Sequence, residues 1–255
     1  MQTKSIVSLL FLLTLGVSVS SQAQDGMGTL SESWAMTVKR GHEAQFEAAF
    51  KAHAKVRQDA GDPRHWDTFQ PVTGADMSVY YLRTCCFTWA DQDAYTEWEK
   101  NNPKVMGDWF ANVDQHVESY AHYFDQMDPE NSHWSDPPPV MNYVGVMDYT
   151  IEAGEAADFH TARRELSQIA INQGWGDSHN WGWSESIGGS PSASLAVPFA
   201  NFAAMAGAGQ NFREFIIEHM GAEGAEELME RFGDSVEKSH YSIWVRRADL
   251  SYGSD

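Results

Sequence analysis

Apolar Trp34, Met36 and Val38 alternate with Ala35, Thr37 and Lys39, the two-residue period of a strand with one buried face. Gly41 closes that strand. Phe46, Ala49, Phe50, His53 and Val56 then recur at steps of three and four, which predicts a helix ending near Gly61-Asp62-Pro63. His65 to Gln70 and Met77 to Phe87 are rich in aromatic and β-branched residues and flank Pro71 to Asp76, so a hairpin is expected. A helical period returns from Asp91 to Glu99. After Pro103 a further piece carries Met106, Trp109, Phe110 and Val113 on one side, and Tyr120 to Met127 reads as a closing strand.

The chain then repeats this order. Tyr143 to Ile151 opens it, Phe159, Ala162, Leu166, Ile169 and Ala170 stripe a helix, and Trp181 to Ser186 with Ser194 to Phe202 form a hairpin. Phe212, Phe215, Ile216, His219 and Met220 mark the next helix, Leu228, Met229 and Phe232 an extra piece, and His240 to Arg246 the last strand. The run Arg64 to Gly74 is echoed by His179 to Gly189, and Tyr120 to Asp128 by Tyr241 to Asp249. The spacing predicts two repeats, 31–128 and 140–250, joined by a polar linker over 129–139 that ends in Pro137-Pro138-Pro139. The order βαββαβ is that of a ferredoxin-like α+β sandwich, with both helices on one sheet face. A bare opposite face rich in Trp and Tyr would have to be covered, and packing the two sheets together would do so.

On this topology and repeat spacing, the chain from about Ser31 to Leu250 resembles the dimeric α+β barrel superfamily, whose members include antibiotic-biosynthesis-type monooxygenases, NIPSNAP-like proteins, EthD-like proteins and haem-handling enzymes. The resemblance implies a pseudo-dimeric barrel within one polypeptide, with any ligand between the sheets or between sheet and helices. No motif places the superfamily's functional residues on this sequence.

Ahead of the repeats, Lys4, the apolar run Ile6 to Val17 and the small residues Ser20 to Ala23 read as a signal peptide over 1–23. A soluble periplasmic or secreted protein is expected, with no membrane span in the mature chain; an uncleaved anchor is the alternative. The formal net charge of −19 disfavours nucleic-acid and anionic-lipid partners. It leaves the oligomeric state open. Cys85 and Cys86 are adjacent in a strand-like run, where neighbouring side chains point to opposite faces, so free thiols are expected over a vicinal disulfide.

Candidate site residues follow from position. Trp66 aligns with Trp181, and alternation places Arg64 beside Trp66, and His179, Trp183 and Glu185 beside Trp181, an aromatic wall with an acid and a base. Tyr120 corresponds to Tyr241 in this alignment, and His122, on the face of Tyr120, to Ile243. His179 and His122 are the candidate bases, and Trp66, Trp181, Trp183, Glu185, Tyr120, Tyr241 and Arg64 the candidate ligand contacts. Core tryptophans with hydrogen-bonded histidines are the competing reading. His53, on the helix stripe, serves as a haem ligand only if a pocket opens on the helix side. The sequence lacks HExxH, calcium-loop, GxSxG, Walker and dinucleotide motifs, so no metal site is expected and hydrolase and nucleotide chemistry lose support. The reading favoured is an exported protein binding a small hydrophobic or aromatic molecule, with no cofactor expected and catalysis left open. A cofactor-independent monooxygenase or isomerase, a haem-handling enzyme and a non-catalytic envelope module are the alternatives.

Overall fold

The alternating run around Trp34 folds as β1 (Leu30–Val38), followed by α1 (Glu43–Asp59), β2 (Asp67–Pro71), β3 (Val79–Phe87), α2 (Trp89–Asn101), α3 (Pro103–Asp108) and β4 (Val117–His133). The second half supplies β5 (Tyr143–Ile151), α4 (Ala156–Asn172), β6 (Trp181–Ser186), β7 (Ser192–Phe199), α5 (Phe212–Met220), α6 (Ala222–Asp234) and β8 (Val236–Arg246). The computed structural model describes residues 28–74, 76–189, 192–207 and 209–253; the expected signal peptide lies outside them.

Local chemistry sets several boundaries. Thr88 and Asp91 form a reciprocal capping box that starts α2, and Asn211 and Glu214 do the same for α5. Gly221, at φ 81°, separates α5 from α6 by a turn that a side chain would strain. A π-turn over Trp109–Val113 continues α3.

All eight strands join one closed antiparallel barrel in the order β1-β3-β2-β8-β5-β7-β6-β4. Within each half the order is the same, and the halves meet edge to edge at two seams. Phe69 to Pro71 of β2 pair with Trp244 to Arg246 of β8, and Asp125 to Asp128 of β4 pair with Trp183 to Ser186 of β6. Residues 129–133, expected in the linker, continue β4 because this second seam gives their backbone a partner, through His133 opposite Trp181. The C-terminal tail also crosses: Trp66 and Tyr252 exchange both backbone hydrogen bonds, at 2.7 and 2.9 Å.

The expectation of two aromatic sheet faces packed together is corrected by this closure. Trp34, Trp66, Trp181 and Trp183 lie on the outer, helix-covered face. Met36, Val38, Trp66, Tyr80 and Leu82 pack with Phe46, Phe50 and Ala54 of α1, and Trp181, Trp183, Ala193 and Ile151 pack with Phe159 of α4. The helix-free face turns into the barrel lumen, where alternation along β1 sets Ser31, Ser33, Ala35 and Thr37 beside Tyr81, Arg83 and Tyr123 of its neighbours.

Cys85 and Cys86 are joined as a disulfide, contrary to the free thiols expected; the peptide between them is cis, so the two side chains do not take the opposed directions of an extended strand.

Trp66, 3 % exposed, ties β2, the C-terminal tail and the α1 layer together. Trp66→Ala is expected to cost about 3–5 kcal/mol of stability, read as a lowered urea midpoint with an unchanged far-ultraviolet spectrum before the transition.

Candidate functional site

The outer face of β1 carries one acid among apolar residues: Leu30, Glu32, Trp34, Met36 and Val38 share it. Glu32 is 5 % exposed and is held by three donors. The Arg64 guanidinium bonds one carboxylate oxygen; the Trp34 indole N–H donates to the other at 3.0 Å, and His122 Nε2 lies 2.9 Å from that same oxygen. A carboxylate only accepts, so Nε2 carries the proton and the His122 lone pair is on Nδ1. Arg64 is itself buried, donates to Gln92 at 2.6 Å and lies over the Tyr95 and Phe87 rings.

His122 stacks on Trp34 with ring centres 3.9 Å apart and planes 15° from parallel, and its side chain is 34 % exposed. Phe124 meets its edge at 4.9 Å, and Trp89, at the start of α2, meets Phe124 at 5.5 Å. On the other side Tyr120 stands edge-on to Trp34, accepts from Trp109 and donates to Asp114 at 2.7 Å. Burial and the Asp114 carboxylate push the Tyr120 hydroxyl well above its ordinary pKa. The result is a continuous aromatic shelf, with Trp89 and Tyr120 open to solvent, and a carboxylate-backed imidazole at its centre.

The residues singled out by sequence fall into two groups, one on each half. Arg64, Trp66, His122 and Tyr120 belong to the first. In the second, Trp181 donates to the Asn131 carbonyl at 2.8 Å and Trp183 to Ser167 at 3.2 Å, both buried. Glu185 is taken up by Arg163, which also pairs with Asp128 at 2.8 Å. His179 precedes β6, lies flat on Trp175 at 3.8 Å and has Nδ1 3.1 Å from the Trp175 carbonyl. The expected wall of His179, Trp181, Trp183 and Glu185 is therefore a strand face closed by α4, with His179 set apart at its entrance.

The register also corrects one correspondence. His122 pairs with Trp34 across β1, and Tyr241 pairs with Met147 across β5, each five residues beyond its strand's first valine, Val117 or Val236. Tyr241 thus occupies the place of His122, and Ile243 does not. Gly145 occupies the place of Glu32, and a β-carbon there would run into the Tyr241 hydroxyl. The Glu32–His122 pair exists on one half only. Sequence reasoning missed Glu32 and Trp34; the signal was an acid in phase with Trp34, Met36 and Val38 on a strand face otherwise apolar.

No known family profile matches the sequence, and no curated protein matches it. Among solved structures, the fold is similar to a candidate monooxygenase of Fusobacterium nucleatum, with a TM-score of 0.55 and 9 % identity over 89 % of this chain and 98 % of that one. A candidate monooxygenase of Lactobacillus acidophilus gives 0.53 and 10 %, over 87 % and 94 %. A mutant chlorite dismutase of Candidatus Nitrospira defluvii gives 0.52 and 7 %, over 88 % and 94 %. At these identities the likeness is one of fold, a closed eight-stranded antiparallel barrel with helices packed on it.

Removing Glu32 strands a buried guanidinium. Glu32→Ala is expected to cost about 3–5 kcal/mol, whereas His122→Ala, at the open end of the network, should cost under about 1.5 kcal/mol; urea denaturation of both variants distinguishes them.

His53, where the second half has Leu166, is 1 % exposed, with Nδ1 2.9 Å from Asp108. Burial holds its imidazole below the ordinary 6.5, outweighing the Asp108 carboxylate. The unfolded chain binds the proton more readily, so stability from this group is full above 6.5 and declines as pH falls through the folded value. His53→Leu should flatten the acid side of the stability profile, as measured by urea unfolding at about pH 7 and about pH 5; an unchanged slope would refute this account.

Proposed function

We propose that this chain is an exported protein of two ferredoxin-like halves that binds a small planar aromatic molecule on the outer shelf of its first half. The observation that carries the reading is the imidazole of His122, fixed through Nε2 by Glu32 and stacked on Trp34. Glu32 sets the tautomer and leaves the Nδ1 lone pair as the acceptor. The rings of Trp34, Phe124, Trp89 and Tyr120 offer a planar ligand stacking and edge contacts.

An acidic O–H or C–H of such a ligand, brought to Nδ1, would lose its proton there. The anion left behind is electron-rich, which is the form in which an aromatic can itself supply electrons to oxygen without a bound cofactor. Likeness in fold to the candidate monooxygenases supports this cofactor-independent oxygenase reading and carries no residue roles with it.

Haem is the alternative reading, and neither His53 nor His122 favours it. His53 has the unpartnered Nε2 that an axial ligand needs, and Asp108 behind Nδ1. Yet it is sealed, edge-on to Trp109 at 5.1 Å, and leaves no face for a macrocycle. His122 has Nε2 committed to Glu32 and one ring face to Trp34.

The test combines binding and turnover. Titration with 1-naphthol should quench tryptophan fluorescence in the wild type and bind at least about tenfold more weakly in Trp34→Ala. Mass spectrometry of the molecule that copurifies gives the natural ligand, whose oxygen uptake should fall by about 100-fold or more in His122→Gln with binding retained. Identical quenching in Trp34→Ala would remove the shelf as the site, and full turnover in His122→Gln would remove its base. Titration with haem should leave the Soret band that of free haem.

A further inference from the structure

The ladder between β1 and β3 carries one residue too many on β3. Thr84 pairs with Glu32 and Cys85 with Ser31, but Leu30 pairs with Phe87, so Cys86 stands outside the ladder as a bulge. Tyr80, Leu82 and Thr84 face outward, and unbroken alternation would send Cys86 outward and Phe87 to the lumen. The extra residue reverses this. Phe87 is buried on the outer face opposite Leu30, where the Arg64 guanidinium lies over its ring at 4.1 Å and Phe124 meets it at 6.5 Å.

Phe87 is thereby a support of the shelf. Arg64 bonds the Glu32 carboxylate that holds His122, and Phe124 touches Phe87, His122 and Trp89 in turn. The Phe87 backbone is closely packed as well: a β-carbon on Gly28 would come within 1.9 Å of its carbonyl carbon. The bulged residue that sets this placement is the one joined to Cys85, and the disulfide holds Cys86 beside its neighbour and out of the ladder. A bond between adjacent residues closes almost no loop, so it removes little entropy from the unfolded chain and adds least to stability. It is also reachable, since Cys86 is exposed. The chain has these two cysteines and no others, so its thiol chemistry belongs to this pair.

We infer that Cys85–Cys86 is a redox-cleavable clasp that fixes the outer shelf, opened by a dithiol and closed again by reoxidation. A thiolate of the dithiol attacks the sulfur of the exposed Cys86, forms a mixed disulfide and releases Cys85 as a thiolate, which takes up a proton. The second thiol of the dithiol then closes on the first, releasing Cys86. The dithiol leaves as a cyclic disulfide, and the protein has gained two electrons and two protons. Two separate thiols no longer hold Cys86 out of the ladder; alternation can resume there and turn Phe87 away from Arg64 and Phe124. Ligand held on the shelf is then held less well. That last consequence rests on the shelf being the binding site; the cleavage and its effect on His122 do not.

Dithiothreitol serves as the dithiol in the test, on the folded full-length protein. A chromogenic thiol reagent should find no thiol before treatment and both cysteines after it. The His122 ring resonances, assigned by NMR against His122→Gln, should move on reduction and return on reoxidation, because Phe124 lies 4.9 Å from that ring. 1-Naphthol should bind the reduced protein at least about threefold more weakly than the oxidised one. The variant with Cys85→Ser and Cys86→Ser together should match the reduced protein and ignore dithiothreitol; reduction of the wild type decides the same point where that variant does not fold. Thiols that titrate without reductant, a disulfide that resists dithiothreitol in the folded protein, unmoved His122 resonances, equal 1-naphthol affinity in both states, or a double variant that still responds would each overturn the clasp. His122 resonances that move while 1-naphthol binds neither state would support the clasp and remove the shelf as the site.

Discussion

Two edge seams decide everything else in this chain. A four-stranded sheet with helices on one face has two open edges, each a row of unpaired N–H and C=O groups. Joining β2 to β8 and β4 to β6 removes all four edges of the two halves at once. The seams are reinforced from the side chains: Asp67 on β2 pairs with Arg246 on β8 at 2.6 Å, and Ser186 on β6 donates to Asp125 on β4. Closure converts two faces per half into one outside and one inside. The helices cover the outside, which accordingly holds Trp66, Trp181 and Trp183. The inside has no helix to pack against, and it sets the β1 serines beside Tyr81, Arg83 and Tyr123.

The same closure lets the halves diverge. α1 packs on the first half, whereas α4 reaches across the seam to Asp128 of β4 through Arg163. The first half places Glu32 beneath His122; the second places Gly145 beneath Tyr241, and the tyrosine hydroxyl fills the space that the acid would need. In the second half the buried cation comes instead from Arg163 on α4, clamped between Asp128 and Glu185. Both halves thus bury an arginine against a carboxylate on the outer sheet face, and one leaves an imidazole half-open beside it.

Most of the element order was legible because periodicity reports one buried face directly. The alternation of Trp34, Met36 and Val38, and the stripe from Phe46 to Val56, each match an observed element. Periodicity does not say which neighbour covers that face, so the tryptophans were expected at a sheet–sheet contact and lie instead beneath helices. Register was less legible still. Matching Tyr120 to Tyr241 by residue type is off by two positions, because the strands are phased by the irregular pairing at Val38–Val117 and Ile151–Val236. The site was legible as a set of types, with Arg64, Trp66, His122 and Tyr120 on one half. Glu32, which joins Arg64 to His122, was not, since a single acid in a strand becomes informative only once its face is known to be buried.

β1 shows how tightly register binds function to fold. Ser31 and Ser33 face the lumen and Glu32 and Trp34 face α1 and α2, so a slip of one residue would exchange all four. Glu32 would then enter the lumen, while Arg64 would lose its carboxylate and His122 its stacking partner. The pairing irregularities at Leu30/Ser31 against β3 and at Thr37/Val38 against β4 bracket the strand at both ends and pin it against that slip. One strand therefore fixes which residues meet on both sides of the sheet, and the outer imidazole keeps its carboxylate only in this register.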